Sequence, residues 1–583
     1  MPTASRFALA WLAATACGLV AGAILGVAAL GKALFPFHAG LDAARLVGSF
    51  ALASVPAGAV VGLAAGALAA GIATSRSNAL AIGIAVALVT IGCVYATRDA
   101  AAPIPAARPA STPLPPLVAS AAAADAPNLV LVTVDTLRAD HLGLAGYARP
   151  TSPFLDRLAA GGVVFETAIA QAPATRESMA SMLTGLQPWS LASVHRKAST
   201  DAPYLADGFH TLAERLQAAG YDTAGFVSNP GLRRSAGHAQ GFAHWDEESG
   251  FAEVPGRTQS ADAIVDAAIA WLPRAHPPFF LWVHVMDPHH PYTPVVAGPW
   301  EHPGDPGFER FRNAYAARDT AAWSERLLGV SDGDALEPGE LAFLIGRYDA
   351  EIRATDAALE RLVDALGGPT SIDADGAIAV TSDHGEEFAD HGAMLHSHSL
   401  HDELIRVPLI LRGRGIPAGR RVPAQVSLLD LAPTLLGLAG APTTGLDGTS
   451  LAPFWIDDTT ASRTAIAQRE DKYVALRTPD AKLVVRTEPY DEAWPRGNGL
   501  DDLRALTRFV ADTPARPKVA FHRLRADPDE ATDAIGEDPR ARQLYEELQS
   551  LRRTQPPRDV APSTAPGPDA ATREQLRALG YAE

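Results

Sequence analysis

Cysteine is the residue that this chain of 583 amino acids most nearly lacks. There are only two cysteines, Cys17 and Cys93, and both lie in long apolar runs near the start of the chain. The more polar remainder therefore offers neither a disulfide nor a cysteine nucleophile. Covalent catalysis in that part of the chain would have to use another side chain.

Positive charge is also scarce, with 49 Lys and Arg against 66 Asp and Glu and a formal net charge of −17. The first hundred residues carry a small positive balance, so the acidic excess lies in the rest of the chain. A strongly acidic folded part argues against a nucleic acid partner, because a phosphate backbone attracts basic surfaces.

Charge is absent from three stretches near the N-terminus, at residues 7–30, 47–74 and 79–95. The first two are long enough to span a bilayer, and the third is at the short end of that range. They predict a helical transmembrane region of about three helices over residues 1–100. A signal peptide is the alternative for the first run, because Arg6 precedes it. With three spans and a cytoplasmic N-terminus, the chain would be a multi-pass cell-membrane protein with an extracytoplasmic domain.

Residues 101–127 are rich in proline and alanine and predict a semi-rigid, partly extended linker. Strand and helix patterns then alternate over residues 128–453. This alternation predicts an α/β fold in which a mostly parallel central sheet is sandwiched by helices.

The pattern changes after residue 453. Short strands are predicted at 472–476, 482–486 and 522–527, and a helix at 541–552. They indicate a small C-terminal α+β subdomain over residues 454–555. A proline-rich tail over residues 556–583 completes the chain.

Two carboxylates stand at the C-terminal ends of predicted buried strands. The apolar segments 128–134 (NLVLVTV) and 377–380 (AIAV) are typical of a parallel sheet, and Asp135 and the pair Asp383-His384 follow them. Open α/β sheets bind ligands at the carboxyl ends of their strands, where carboxylate and imidazole groups can hold a divalent metal. The local alternatives are that both aspartates cap helices and that the nearby histidines lie on a solvated loop.

A threonine and two pairs of histidines fall at similar places. Thr175 begins a helical pattern, where its hydroxyl could meet a phosphate or sulfate, although an ordinary N-cap fits the local pattern better. His289 and His290 follow the apolar strand FFLWVHVM in a loop fixed by two prolines, and His396 and His398 follow the Asp-His pair. Capping and solvation alone do not explain why all of these groups occur at predicted strand ends.

Taken together, these stretches resemble the sulfatase family of the alkaline phosphatase superfamily. The matching motifs occur in family order: VTVDTLRADHLGLAGYARPTSPFLDRLAAGGVVFE, TRESMASMLTG, HVMDPHHPY, RYDAEIRATD, VTSDHGEEFADHG, LHSHSLHDELIRVPLI and SLLDLAPTLLGLAG. The later FHRLRADPDEA resembles part of the family's small C-terminal sheet domain. The resemblance covers nearly all of residues 128–453.

The resemblance implies a role for each candidate group. The implied metal ligands are Asp135, Thr175, Asp383 and His384. Thr175 also occupies the nucleophile position of the family. His289 and His396 match the histidines that contact the transferred group or protonate the leaving oxygen, and His290 and His398 are the alternatives to them.

Three departures from the usual sulfatase pattern affect the expected chemistry. Thr175 stands where the family carries a cysteine or serine that matures to formylglycine, so no formylglycine is expected here. Glu177 and Met179 replace the proline and arginine of that motif, and Thr136 replaces a second aspartate. The pattern is similar to that of membrane-anchored phosphoglycerol and phosphoethanolamine transferases, which use a metal-bound threonine.

These points predict a membrane-anchored, metal-dependent ester hydrolase or phospho- or sulfo-group transferase that acts outside the cytoplasm through Thr175. One divalent ion is expected, with Zn²⁺ or Mn²⁺ favoured by the ligand types and Ca²⁺ as a further option. The substrate would be a phosphate or sulfate ester, such as a lipid or surface glycan. The alternative is a non-catalytic sensor or binding protein that keeps the fold. A transporter is disfavoured, because the spans lack charges that could form a substrate path.

Overall fold

The chain divides into two units, Met1–Arg108 and Pro109–Glu583. The computed structural model describes residues 112–117, 119, 125–191, 204–251, 261–292, 300, 336, 338–457, 460–469, 473–486, 519–535, 537–555, 558–560, 568–570 and 572–573. The three predicted spans and most of the predicted linker lie outside the described residues. In the part that is described, no helix is long and apolar enough to cross a membrane.

A large sheet of eight strands organises the second unit. In chain order its strands are β1 (Asn128–Val134), β2 (Val163–Ile169), β3 (Asp222–Val227), β4 (His244–Asp246), β5 (Phe279–Val285), β6 (Gly376–Ser382), β7 (Arg406–Gly413) and β8 (Arg420–Ser427). Strands β1, β5 and β6 are almost wholly buried, as expected for near-continuous apolar runs in the middle of a parallel sheet.

The spatial order of the strands is β8-β2-β7-β6-β1-β5-β3-β4. All neighbours are parallel except that β7 runs antiparallel to both β2 and β6. The central register places Val132 of β1 between Val283 of β5 and Val380 of β6. The predicted mostly parallel sheet is therefore confirmed, with one antiparallel strand that the sequence patterns did not reveal.

Helices cover both faces of this sheet. They are α1 (Pro153–Ala160), α2 (Thr175–Thr184), α3 (Pro188–Leu191), α4 (Leu212–Ala218), α5 (Ala261–Trp271), α6 (Pro338–Ala365), α7 (Gly368–Asp375), α8 (Asp402–Ile405), α9 (Leu431–Leu438) and α10 (Ala452–Ile456). Short 3₁₀ turns occupy Ala139–His141, Gly143–Ala145, Pro230–Leu232, Arg234–Ala236, Ser249–Phe251, Leu272–Arg274 and Leu428–Asp430.

The alternation of side chains along β1 divides the core into two layers. Val130 and Val132 pack with residues of α1, α5 and α6 on one face. Leu129 and Leu131 pack with residues of α2, α4 and α9 on the other. Burying one such side chain contributes roughly 1.5–3 kcal/mol to the free energy of folding. The two apolar layers therefore hold the helices firmly against the two faces of the sheet.

A smaller antiparallel sheet follows, with strands β9 (Ala465–Arg469), β10 (Tyr473–Arg477), β11 (Lys482–Arg486) and β12 (Val519–His522) in that spatial order. The long helix α11 (Arg540–Thr554) packs on it through Leu544 and Leu548. This arrangement agrees with the predicted small α+β part. The strand expected at 522–527 lies earlier in the chain, because the residues after His522 form turns.

A fully buried lysine ties the smaller sheet to the loop before α8. The Lys482 ammonium on β11 donates to the Leu400 carbonyl at 2.7 Å, to Asp402 Oδ1 at 3.0 Å and to Glu530 at 2.6 Å. A buried ammonium needs such partners, because an unpaired charge in the interior costs several kcal/mol. The segment before α8 is therefore held against the smaller sheet.

Candidate active site

Parallel pairing places two carboxylates side by side at the carboxyl edge of the large sheet. Strands β1 and β6 are neighbours, and their last paired residues are Val134 and Ser382. Asp135 comes immediately after β1, and Asp383 comes immediately after β6. Helix α2 begins at Thr175 and His384 follows Asp383, so all four predicted metal ligands meet here.

The distances among these groups are short. Thr175 Oγ1 lies 3.2 Å from His384 Nε2 and 3.5 Å from Asp135 Oδ2. His384 Nε2 in turn lies 3.7 Å from Asp135 Oδ1 and 3.6 Å from Asp383 Oδ2. All four residues are fully buried. The sequence therefore predicted a real cluster of two carboxylates, one imidazole and one hydroxyl.

Two oxygens in this cluster have no hydrogen-bond partner among the described residues: Asp135 Oδ1 and Asp383 Oδ2. An unpaired buried carboxylate oxygen is costly. Burial and the neighbouring Asp135 charge both raise the pKa of the Asp383 carboxyl. A divalent cation between the two oxygens would remove both penalties, so the donor set fits such an ion. Two carboxylate oxygens, an imidazole nitrogen and a hydroxyl suit Zn²⁺ or Mn²⁺.

The other oxygen of Asp135 is held by two residues that the sequence did not single out. Asn229 Nδ2 donates to Asp135 Oδ2 at 2.6 Å, and His284 Nε2 lies 3.3 Å from the same oxygen. The other ring nitrogen of His284 contacts Thr133 Oγ1 at 2.8 Å. These contacts orient the carboxylate so that its Oδ1 faces His384. The clue for His284 was a single polar residue inside the otherwise apolar strand β5.

His396 packs beside the cluster and is itself held by a buried acid. Its ring centre lies 4.5 Å from that of His384 and 4.9 Å from that of His289. His396 Nδ1 is 2.8 Å from Glu386 Oε1, and Tyr292 donates to Glu386 Oε2 at 3.1 Å. Proton transfer to a substrate would therefore use His396 Nε2. Glu386 was missed at sequence level, because it is one of two adjacent glutamates and nothing local distinguishes them.

Burial governs the protonation of this histidine–glutamate pair. It raises the pKa of Glu386 to about 7. Burial and the nearby His384 lower the pKa of His396 well below its ordinary value. Burial also lowers the pKa of His289. The neutral imidazole is therefore favoured at His289 and His396, whereas the neighbouring charges of Asp383 and Asp135 raise the pKa of His384 against the effect of its burial.

The two alternative histidines lie in different surroundings. His398 Nε2 is paired with Glu387 Oε2 at 2.6 Å. His290 is buried, its ring packs edge-on to Tyr292, and burial lowers its pKa to about 3. His289 and His396, in contrast, contact each other beside His384.

The capping interpretations of the site residues are wrong. The 3₁₀ turn after β1 starts at Ala139 with Arg138 at the cap position, and the cap position of α2 is Ala174. No helix directly follows Asp383, and His384 is fully buried instead of lying on a solvated loop. Met179, at the position of the family's arginine, is buried in the core layer beneath α2 and not in this cluster.

Comparison with known proteins gives a consistent result. The profile of the family described as Sulfatase matches residues 127–441. The chain is 27% identical over 458 residues to an ulvan-active sulfatase of Formosa agariphila, covering 72% of this chain and 79% of that protein. It is also 27% identical over 402 residues to the multifunctional alkaline phosphatase superfamily protein PehA of Trinickia caryophylli, covering 56% of this chain and 76% of that protein.

Solved structures resemble the fold. A 2-O GAG sulfatase superposes with a TM-score of 0.55 at 19% identity, covering 77% of this chain and 99% of that one. The phosphonate monoester hydrolase of Agrobacterium radiobacter gives a TM-score of 0.52 at 22% identity, covering 74% and 96%. The same fold thus serves esters of both sulfur and phosphorus.

The unpaired carboxylate oxygens lead to a first prediction, for Asp383→Asn. Asparagine keeps an acceptor for the His384 backbone N–H (2.9 Å) but removes one of two repelling charges. We expect the metal-free variant to be more stable by about 1–2 kcal/mol. Zn²⁺ should raise the melting temperature of the parent more than that of the variant. Calorimetry with EDTA and with Zn²⁺ measures both effects.

Asp373→Asn is the matched control, because Asp373 is a half-exposed carboxylate paired with Arg412. This control should change the free energy of unfolding of the metal-free protein by less than about 1 kcal/mol. Zinc should raise its melting temperature as much as that of the parent. An Asp383→Asn variant that is less stable and responds fully to zinc would contradict this account of the cluster.

Proposed function

Because the chain belongs to the sulfatase family, we propose that it is a metal-dependent ester hydrolase that uses Thr175 as its nucleophile. The single observation that carries the proposal is the position of the Thr175 hydroxyl. It lies within 3.5 Å of a carboxylate, an imidazole and the Asn229 amide at the carboxyl edge of the sheet. The unpaired oxygens of Asp135 and Asp383 support a metal at the same place.

Asp135, Asp383, His384 and Thr175 would hold the ion. A divalent cation supplies two kinds of chemistry here, since it lowers the pKa of a bound hydroxyl and neutralises charge on the oxygens of the transferred group. Asn229 and His284 contribute by fixing the direction of Asp135. The hydrogen-bond partners of a ligand commonly set its orientation in this way.

In the first step, Thr175 Oγ attacks the sulfur or phosphorus of the ester. A bond forms from that atom to Oγ, and the bond to the leaving oxygen breaks with its electron pair. The hydroxyl proton passes to a neighbouring base, for which Asp135 Oδ2 is placed at 3.5 Å. His396 Nε2 gives its proton to the departing oxygen while its Nδ1 takes one from the Glu386 carboxyl, so the imidazole stays neutral.

In the second step, water attacks the Thr175 ester. The new bond from water forms at sulfur or phosphorus, and Thr175 Oγ leaves and recovers its proton. His396 Nε2, now lacking its proton, removes one from the attacking water. An acceptor alcohol in place of water would make the same intermediate a group-transfer reaction. Both outcomes require a covalent ester on Thr175.

We propose a sulfate ester as substrate, on a sugar. Relatives are an ulvan-active sulfatase and a Delta 4,5-hexuronate-2-O-sulfatase, and one similar structure holds a glucosamine disulfate. A phosphorus ester is the second candidate, and Thr175 favours it, because threonine cannot mature to the formylglycine expected of sulfatases. Mass spectrometry of the Thr175 peptide after incubation with each ester class would identify the transferred group.

Thr175→Ala tests the nucleophile. If the covalent step depends on this hydroxyl, turnover of an aryl sulfate or aryl phosphate should fall by several orders of magnitude. Thr175→Ser should keep part of the activity, because the hydroxyl remains without the methyl group that restricts its rotamer. Initial rates with both variants measure the effect.

Thr184→Ala is the matched control. Thr184 is also buried on α2, but its hydroxyl bonds to the Ala180 carbonyl of the same helix. It should lose about 1 kcal/mol of stability and keep its turnover. Near-normal turnover in folded Thr175→Ala would refute the mechanism. Metal binding with no turnover in the parent would instead support the non-catalytic sensor.

His396→Gln tests the general acid through the leaving group. Loss of the acid should slow esters of poorly acidic alcohols by about 10²–10⁴-fold, and esters of acidic phenols much less. His398→Gln, which alters the histidine paired with Glu387, should give no such dependence. A uniform loss across leaving groups in His396→Gln would mean that this residue binds substrate and does not protonate it.

We also propose that residues 1–100 anchor the enzyme in the cell membrane with its catalytic domain outside the cytoplasm. The three charge-free runs support this, as does the resemblance to membrane-anchored transferases. The full chain should stay with membranes after alkaline carbonate washing. Protease should cleave the catalytic domain when it is added to cells whose outer layer has been made permeable and whose cytoplasmic membrane is intact. Release of the chain by carbonate would contradict the membrane anchor. Full protection from protease would contradict the proposed orientation.

A further inference from the structure

A second group of metal-ligating side chains lies in the loop between β6 and β7, outside the cluster at the sheet edge. It consists of His391, His401 and Glu403, whose ligand atoms all lie within 4.8 Å of one another. None of the three belongs to the proposed active site. The loop they share also carries His396.

Both imidazoles face the same carboxylate. Glu403 Oε1 lies 2.8 Å from His391 Nδ1 and 3.8 Å from His401 Nδ1. A tetrahedral zinc ion, with bonds of about 2.0–2.2 Å to nitrogen and oxygen, separates its ligands by about 3.4 Å. The observed separations bracket that value. The rings are stacked with centres 3.6 Å apart, so both imidazoles lie beside Glu403.

His401 Nδ1 is buried and has no hydrogen-bond partner among the described residues. A buried ring nitrogen without a partner is costly, and coordination of a metal ion would satisfy it.

The group joins two parts of the molecule. His391 Nε2 lies 2.8 Å from the Asp529 carbonyl, in the turn after β12. The next residue, Glu530, accepts from the Asp402 backbone N–H at 2.7 Å. An ion on His391, His401 and Glu403 would thus reinforce the contact between the loop that carries His396 and the C-terminal part.

We propose that His391, His401 and Glu403 form a second metal site that takes Zn²⁺ and fixes the loop of His396 against the turn after β12. Water would complete the coordination, since the side chains of His391 and His401 are partly exposed. Two histidines and one glutamate are a common ligand set for zinc. Outside the active-site cluster, a histidine–carboxylate pair such as His276 with Asp222 offers only two ligands.

The test uses the full chain carrying Asp383→Asn, so that the proposed active-site ion is weakened in every sample. Zn²⁺ is titrated by equilibrium dialysis, and Co²⁺ is substituted to record the visible bands of a tetrahedral ion. We expect Asp383→Asn/His401→Phe, which keeps the stacked ring without its nitrogens, to lose one equivalent of zinc or at least tenfold in affinity. The same change should remove the cobalt bands.

Asp383→Asn/His276→Phe is the matched control and should bind zinc as Asp383→Asn does. Asp383→Asn/Glu403→Gln changes a second proposed ligand and should lose zinc in the same way. If the His401 variant does not give a cooperative melt, the zinc binding of the Glu403 variant decides the test. Zinc should also slow hydrogen exchange in residues 391–403 and 525–533 of the parent but not of the His401 variant. Equal zinc binding and equal cobalt spectra in the folded ligand variants and the control would overturn the proposal. Either result leaves the role of Thr175 untouched.

Discussion

The repulsion between two buried carboxylates is the constraint on which the catalytic end of this protein depends. Asp135 and Asp383 sit at the ends of adjacent parallel strands, each with an oxygen that no described residue satisfies. The pairing of the two buried strands holds these like charges next to each other, at a cost in stability. Asn229 and His284 orient the Asp135 carboxylate, because both contact its Oδ2. The proposed cation would offset this loss of stability at the sheet edge.

Much of this arrangement could be predicted from the sequence, because strand ends are visible as places where an apolar run meets a polar residue. Asp135, Asp383 and His384 follow such runs directly, and the ordered family motifs added Thr175, His289 and His396. The parallel sheet then brings these positions to one edge without further information. Strands β10 and β11 of the smaller sheet were likewise predicted to within one residue at their ends.

The features of the site and the sheet that could not be predicted from the sequence depend on contacts between distant segments of the chain. His284 looks like an interruption in strand β5, and its role appears only when β5 lies next to β1. Asn229 has no motif of its own, and Glu386 cannot be told from Glu387 until His396 is seen beside it. The antiparallel direction of β7 also escaped the apolar pattern, since a buried strand has the same composition in either direction.

The position of β6 between β1 and β7 has a consequence for how the protein is made. Strand β1 is among the first to leave the ribosome in this domain, yet one of its two partners comes much later, and Thr136 bonds to Asp383 across 247 positions. A nascent chain that stops short of β6 leaves one side of β1 unpaired and lacks Asp383 and His384, which are half of the proposed metal ligands. Such a high contact order slows folding and exposes the strand to wrong partners. The residues of the cluster can therefore come together only after β6 and the two residues that follow it have been made.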